Sequence, residues 1–175
     1  MKVPFYSFQD VDRLIPAYLR SVENVLRSHV YVLGKNVAEL EDRFASLVGV
    51  RNGIGVASGT DAIEVALRAA IGSNVLKGAS VVTVANTGLP TVSAIRRCGA
   101  EPVFCDVNEY GLMDSTSLDE RITHDTVAIV PVHLYGQIAD MAGIHKVAKS
   151  RKLLVIEDAA QAFGSHNPYG WMVWP

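Results

Sequence analysis

The chain has 175 residues, with 16 Lys and Arg against 18 Asp and Glu and 49% hydrophobic residues, which is one ordinary domain's worth of chain with enough apolar surface for a core. A net charge of -2 and a pI near 6.2 leave no surplus of positive charge for a phosphate backbone or an anionic bilayer. No nucleic acid and no membrane are therefore expected as partners, and a small molecule is the better candidate. The opening MKVPFYSFQDVDR carries charges where a secretory signal needs an apolar run, and no apolar stretch reaches spanning length, so the chain reads as cytoplasmic.

In chain order, residues 8–28 place Val11, Leu14, Ile15, Tyr18, Leu19, Val22, Val25 and Leu26 at three-and-four spacing, which predicts an amphipathic helix with an irregularity at Pro16. Gly34 breaks the chain. A second helix runs from Val37 to Val48, with Leu40, Phe44 and Leu47 on one face and Gly49 placed to end it. From there short β-branched runs alternate with helical stretches. Strands are predicted at Ile54–Ala57, Ser80–Val84, Pro102–Cys105, Val127–Val132 and Leu153–Ile156. Helices are predicted at Asp61–Ala70, Pro90–Cys98, Thr116–Ile122 and Met141–Ser150. Strands that are apolar throughout need cover on both faces, and the intervening helices supply it. The fold class is α/β, a mostly parallel open sheet with helices on both faces. Cys98 and Cys105 show neither CxxC spacing nor a partner His cluster, so neither a disulfide framework nor a zinc site follows, and no metal is expected. Residues 1–165 read as one domain portion. The tail from His166 to Pro175 lacks Lys, Arg and acidic residues and holds both tryptophans, and it reads as divergent and the sheet as incomplete there.

Ligands of open α/β sheets bind beyond the carboxyl ends of the strands. Four such segments carry polar or small residues. Ser58, Gly59, Thr60 and Asp61 open a helix, where free N–H groups, the positive end of the dipole and two hydroxyls suit a phosphate. The same residues suit an ordinary N-cap. Glu157 and Asp158 follow a strongly apolar strand, and a buried carboxylate there needs a cation or donor. A protonated ring nitrogen would serve, with Ala159 and Ala160 leaving room for a flat ring; a helix cap would serve as well. His133, in the run from Pro131 to Gln137, fits packing better than chemistry. The fourth segment, Ala85 to Pro90, either lines the same crevice or turns the chain.

Taken in this order, the motifs resemble the large domain of the DegT/DnrJ/EryC1/StrS sugar aminotransferases, a family built on the type I fold of pyridoxal phosphate enzymes. The residues that carry the likeness are Tyr31 to Gly34, Leu40 to Ala45, Val56 to Ala62, Gly99 to Phe104, Pro131 to Gln137 and Glu157 to Gln161. The resemblance implies pyridoxal 5'-phosphate as cofactor. Ser58, Gly59, Thr60 and Asp61 would lie at its phosphate, Asp158 at the pyridinium nitrogen, and Gln161 at the ring near its phenolic oxygen. It further implies transamination between an amino acid donor and a nucleotide-linked keto sugar, a family homodimer, and a role in polysaccharide biosynthesis.

The sequence departs from the family pattern at two places. Gly88 stands where many members place an aromatic residue on the cofactor ring. The lysine that forms the Schiff base follows the Asp-x-x-Gln segment in the family, whereas Lys2, Lys35, Lys77, Lys146, Lys149 and Lys152 all precede Gln161. No catalytic residue is therefore assigned, and the chain is expected to be inactive alone. Two alternatives accompany this reading, a non-catalytic remnant that associates with a homologous subunit and a fragment of a sugar dehydratase of the same family.

Overall fold

The computed structural model describes residues 8–166. Helix α1, Gln9–Ser28, continues across Pro16, and α2, Lys35–Val48, ends where Gly49 adopts φ 75° and its N–H reaches the carbonyls of Ala45 and Ser46. A left-handed glycine at this point is the usual way to satisfy the last carbonyls of a helix. The apolar stripe of α1, including Leu14, Tyr18, Leu19, Val22 and Leu26, is exposed to solvent. No helix among the described residues is long and apolar enough to cross a membrane.

Helix α3, Gly59–Ile71, and the single turn α4, Ser73–Leu76, lead into β1, Ser80–Val84. Then follow α5, Leu89–Arg97; β2, Glu101–Cys105; α6, Leu118–Arg121; β3, Thr126–Ile129; α7, Met141–Arg151; and β4, Leu154–Val155. The four strands pair in parallel in the order β2-β1-β3-β4. The predicted α/β class and parallel sheet are what the chain adopts.

Two apolar clusters cover the two faces of this sheet, and adjacent residues along β1 and β3 alternate between them. Val81 and Ala128 pack with Ile63, Leu67, Ala94 and Ile95 of α3 and α5. Val82 and Ile129 pack with Leu118, Ile144 and Ala148 of α6 and α7. A strand buried on both sides has no solvated face, which is why these runs read as mostly hydrophobic, and the buried hydroxyls of Ser80, Thr83 and Thr126 are hydrogen-bonded within the sheet. Cys98 and Cys105 are free thiols in these clusters, and burial pushes both above the ordinary thiol value.

The structure corrects several expected elements. Ile54–Ala57 pairs with no strand among the described residues. Its exposed chain lies against α2 instead, where the Gly55 N–H donates to Glu41 Oε1 at 2.6 Å, and a Cβ on Gly53 would sit 2.6 Å from the Glu41 carbonyl oxygen. β propensity alone does not make a strand when no ladder neighbour is at hand. The helix expected at Thr116–Ile122 shrinks to Leu118–Arg121, because Asp114 Oδ1 takes both the N–H and the hydroxyl proton of Thr116 in a local turn. Of the divergent tail 166–175, all but His166 lies outside the described residues.

Candidate functional site

The chain order β1-β2-β3-β4 and the spatial order β2-β1-β3-β4 differ at one place. After β2 the chain crosses to the other side of β1, so the switch point lies between β1 and β3. The segments after β3 and β4 carry His133, Asp158 and Gln161, whereas Ser58–Asp61 precede α3 and follow no strand among the described residues.

Asp158 lies three residues beyond β4. Its backbone is held from both sides by the β3 extension: its N–H donates to the Pro131 carbonyl at 2.9 Å, and its carbonyl accepts from the His133 N–H at 2.8 Å. The side chain is half-buried. Oδ2 accepts the hydroxyl proton of Thr91 at 2.7 Å, and Oδ1 accepts the Ala160 N–H at 3.3 Å. The first of these bonds is short and charge-assisted, the second long and weak.

Gln161 meets the loop that follows β3. Its carbonyl accepts from the Gly136 N–H at 3.0 Å and its Oε1 from the Tyr135 N–H at 3.4 Å. Tyr135 and Gly136 take φ values of 58° and 75°. Two successive left-handed residues turn both N–H groups toward Gln161, and a non-glycine residue in that region costs roughly 1 kcal/mol.

His133 is fully buried. Its Nδ1 accepts the Ala139 N–H at 3.2 Å, so the ring proton lies on Nε2 and is donated to Glu157 Oε2 at 2.9 Å. Both ring nitrogens are thus engaged inside the protein, in keeping with the packing reading.

At the start of α3 the N-cap geometry is realised. Ser58 Oγ accepts the Asp61 N–H at 3.2 Å and donates to Asp61 Oδ2 at 2.9 Å, while Asp61 Oδ1 pairs with Arg97 at 3.2 Å. The Asp61 amide, one of the expected phosphate donors, is therefore engaged with Ser58. The Gly59 and Thr60 N–H groups and the Thr60 hydroxyl have no partner among the described residues. A Cβ placed on Gly59 would meet nothing within 4 Å.

The structure brings Asp158, Gln161 and the Tyr135–Gly136 turn together. It connects the α3 start to them through α5, whose first turn holds Asp158 through Thr91 and whose last turn reaches Asp61 through Arg97. No hydrogen bond or ion pair among the described residues joins Ser58 or Thr60 directly to Asp158 or Gln161. Gly88 caps α5 with φ -67° and ψ 154°, and a Cβ there would meet only Pro90 Cδ, at 3.2 Å. Lys146 and Lys149 lie on α7 and Lys152 caps it, immediately before β4, at the opposite end of that strand from Asp158.

Sequence reasoning missed Thr91 and its neighbour Thr87. The available signal was a pair of hydroxyl residues four apart that straddle the Pro90 helix start, one before the N-cap and one in the first turn.

The donor set fits a phosphorylated, protonated heterocycle. Free N–H groups and a hydroxyl stand at the positive end of α3, and a carboxylate with one weakly used oxygen stands at the strand ends. No lysine is among these residues.

Residues 14–168 match the DegT/DnrJ/EryC1/StrS aminotransferase family. The chain is 41% identical over 167 residues to the pleiotropic regulatory protein of Geobacillus stearothermophilus, covering 94% of this chain and 44% of that protein. It is 43% identical over 150 residues to the dTDP-3-amino-3,4,6-trideoxy-alpha-D-glucose transaminase of Micromonospora megalomicea subsp. nigra, covering 85% and 39% of the two chains. Among solved structures, DesV of S. venezuelae superposes with a TM-score of 0.84 at 32% identity, over 92% of this chain and 43% of that one. The chain thus spans less than half the length of these relatives.

Proposed function

The chain belongs to the DegT/DnrJ/EryC1/StrS aminotransferase family, whose members depend on pyridoxal phosphate, and on that footing we propose that it is the cofactor-gripping part of a nucleotide-sugar aminotransferase. The reaction assigned is movement of an amino group between an amino acid and a keto sugar carried on a nucleotide. When bound, the cofactor supplies an electron sink for the carbon whose proton is lost.

Each residue has a defined task in this reading. The Gly59 and Thr60 N–H groups and the Thr60 hydroxyl bind the phosphate, and Ser58 and Asp61 keep the first turn of α3 in place around them. Asp158 holds the proton on the ring nitrogen. Gln161, fastened by Tyr135 and Gly136, borders the ring near its phenolic oxygen. No residue of the 175 is assigned the covalent hold on the cofactor or the proton transfer at the substrate carbon, so the chain by itself grips the cofactor without turning over. A homodimer in the cytoplasm, acting in polysaccharide biosynthesis, completes the proposal. The exposed apolar stripe of α1 supports a partner surface.

The observation that carries the reading is the half-buried Asp158 carboxylate, clamped by its backbone and one oxygen while the other has only a 3.3 Å contact. Titration of the chain with pyridoxamine 5'-phosphate, which has no aldehyde to react with surface lysines, tests it. Saturable binding is expected, weakened roughly tenfold or more by Asp158→Asn, the scale of one charge-assisted contact. Thr60→Ala is expected to weaken it as well. Binding unchanged by both substitutions rejects the site.

A further inference from the structure

Thr91 is 1% exposed, and its hydroxyl points away from its own helix toward the end of β4. A hydroxyl buried near the start of a helix is costly unless paired, and the local alternative is to bond back to a carbonyl of the preceding turn. Thr91 instead donates to Asp158 Oδ2 at 2.7 Å, across 67 residues of sequence.

The direction of the chain of hydroxyls follows from proton counting. A threonine hydroxyl has one proton, and Thr91 gives its proton to Asp158. In the 2.8 Å contact between Thr87 and Thr91 the donor is therefore Thr87. The result is a directed series, Thr87 to Thr91 to carboxylate, that begins in the loop after β1 and ends beyond β4. With the Asp158 backbone clamped to Pro131 and His133, one fixed carboxylate oxygen leaves little freedom for the plane of the group.

We propose that Thr91 is a positioning residue: it fixes Asp158 Oδ2 and so leaves Oδ1 as the oxygen available to the protonated ring nitrogen of the cofactor, with Thr87 orienting Thr91. The inference rests on the assignment of Asp158 to that ring nitrogen.

The test uses the 175-residue chain and pyridoxamine 5'-phosphate labelled with 15N in the ring. At one fixed pH, the 15N shift of the bound ring reports whether the nitrogen carries its proton. Thr91→Val is expected to lower affinity about tenfold, the scale of a hydrogen bond to a charged group, and to move the 15N signal toward that of the unprotonated ring. Thr91→Ser, which restores the hydroxyl, should return both within about twofold of the parent. Thr87→Val, at a half-buried position, should move the signal in the same direction by less, and it carries the test where Thr91→Val does not melt cooperatively. An unshifted 15N signal in Thr91→Val and Thr87→Val, while Asp158→Asn shifts it, overturns the positioning role and leaves the Asp158 assignment standing. An unshifted signal in Asp158→Asn removes the assignment itself.

Discussion

Replacing Gly88 with tyrosine should tighten cofactor binding, and the structure sets the size of the gain. Gly88 has φ -67° and ψ 154°, a region open to every residue, so no left-handed strain opposes a side chain. The new Cβ would contact only Pro90 Cδ, at 3.2 Å, and a proline ring can yield the few tenths of an ångström required. The ring would then stand where the family resemblance puts a ring-stacking aromatic. Offset stacking contributes about 0.5–1.5 kcal/mol beyond buried area, which is roughly a two- to twelvefold lower Kd. Gly88→Ala is the control, because it makes the same backbone change without the ring. Both variants should melt no lower than the parent, since replacing glycine at a compatible position restricts the unfolded chain by about 0.4–1 kcal/mol. Fluorescence titration with pyridoxamine 5'-phosphate reads the affinity. If tyrosine binds no tighter than alanine while Asp158→Asn still weakens binding, the ring does not lie over Gly88, and the reasoning about that face fails.

Two further substitutions probe the supports of the site. His133→Leu keeps similar bulk but leaves the buried Ala139 N–H and Glu157 without their ring partners; a loss of about 1–3 kcal/mol in urea unfolding is expected, with pyridoxamine phosphate affinity nearly unchanged below the melting range. A variant as stable as the parent would show that the buried ring contributes nothing through those bonds. Asp140 caps α7, and the Ser115 hydroxyl, followed by the Gly143 N–H, holds its carboxyl below the ordinary value of 3.8. A depressed carboxyl stabilises the fold fully above its unfolded value and loses that contribution as pH falls through the folded one. Asp140→Ala should therefore cost about 0.5–2 kcal/mol near neutrality, and the gap to the parent should close as pH drops below 3.8; a gap constant down to pH 2 would contradict the linkage.

What the sequence made legible was set by burial. In β1 the β-branched run Ser80–Val84 could be read directly, because both faces are covered and its two hydroxyls, on Ser80 and Thr83, find partners on β3 and just beyond it. Gly49 and Pro90 gave helix ends for equally local reasons, one through positive φ and the other through a missing N–H near a helix start. Ile54–Ala57 misled because its composition is that of a strand, whereas strand formation depends on a neighbour that composition does not reveal. The exposed stripe of α1 has the same origin. Periodicity identifies which residues share a helix face, and only the packing of other elements decides whether that face is covered.

The site divides along the same line between local and distant causes. Ser58 and Asp61 could be read as a cap because the partners lie three residues apart, and the structure realises that cap with both a backbone and a side-chain bond. Asp158 could be identified as a carboxylate in need of a donor, since its burial follows from the apolar strand before it. The donor could not be identified, because Thr91 is 67 residues away and reaches Asp158 only through the order in which the sheet is assembled. The chemical demand was therefore visible in the local sequence, and its satisfaction was a property of topology. By the same logic the groups that the proposal assigns to the cofactor, the amides of Gly59 and Thr60 and the less-used oxygen of Asp158, have no strong partner among the described residues. Gly59 is exposed and Thr60 half-buried, so their open amides are those of any first turn, and the half-buried Asp158 carboxylate is the group whose local demand the fold answers from a distance.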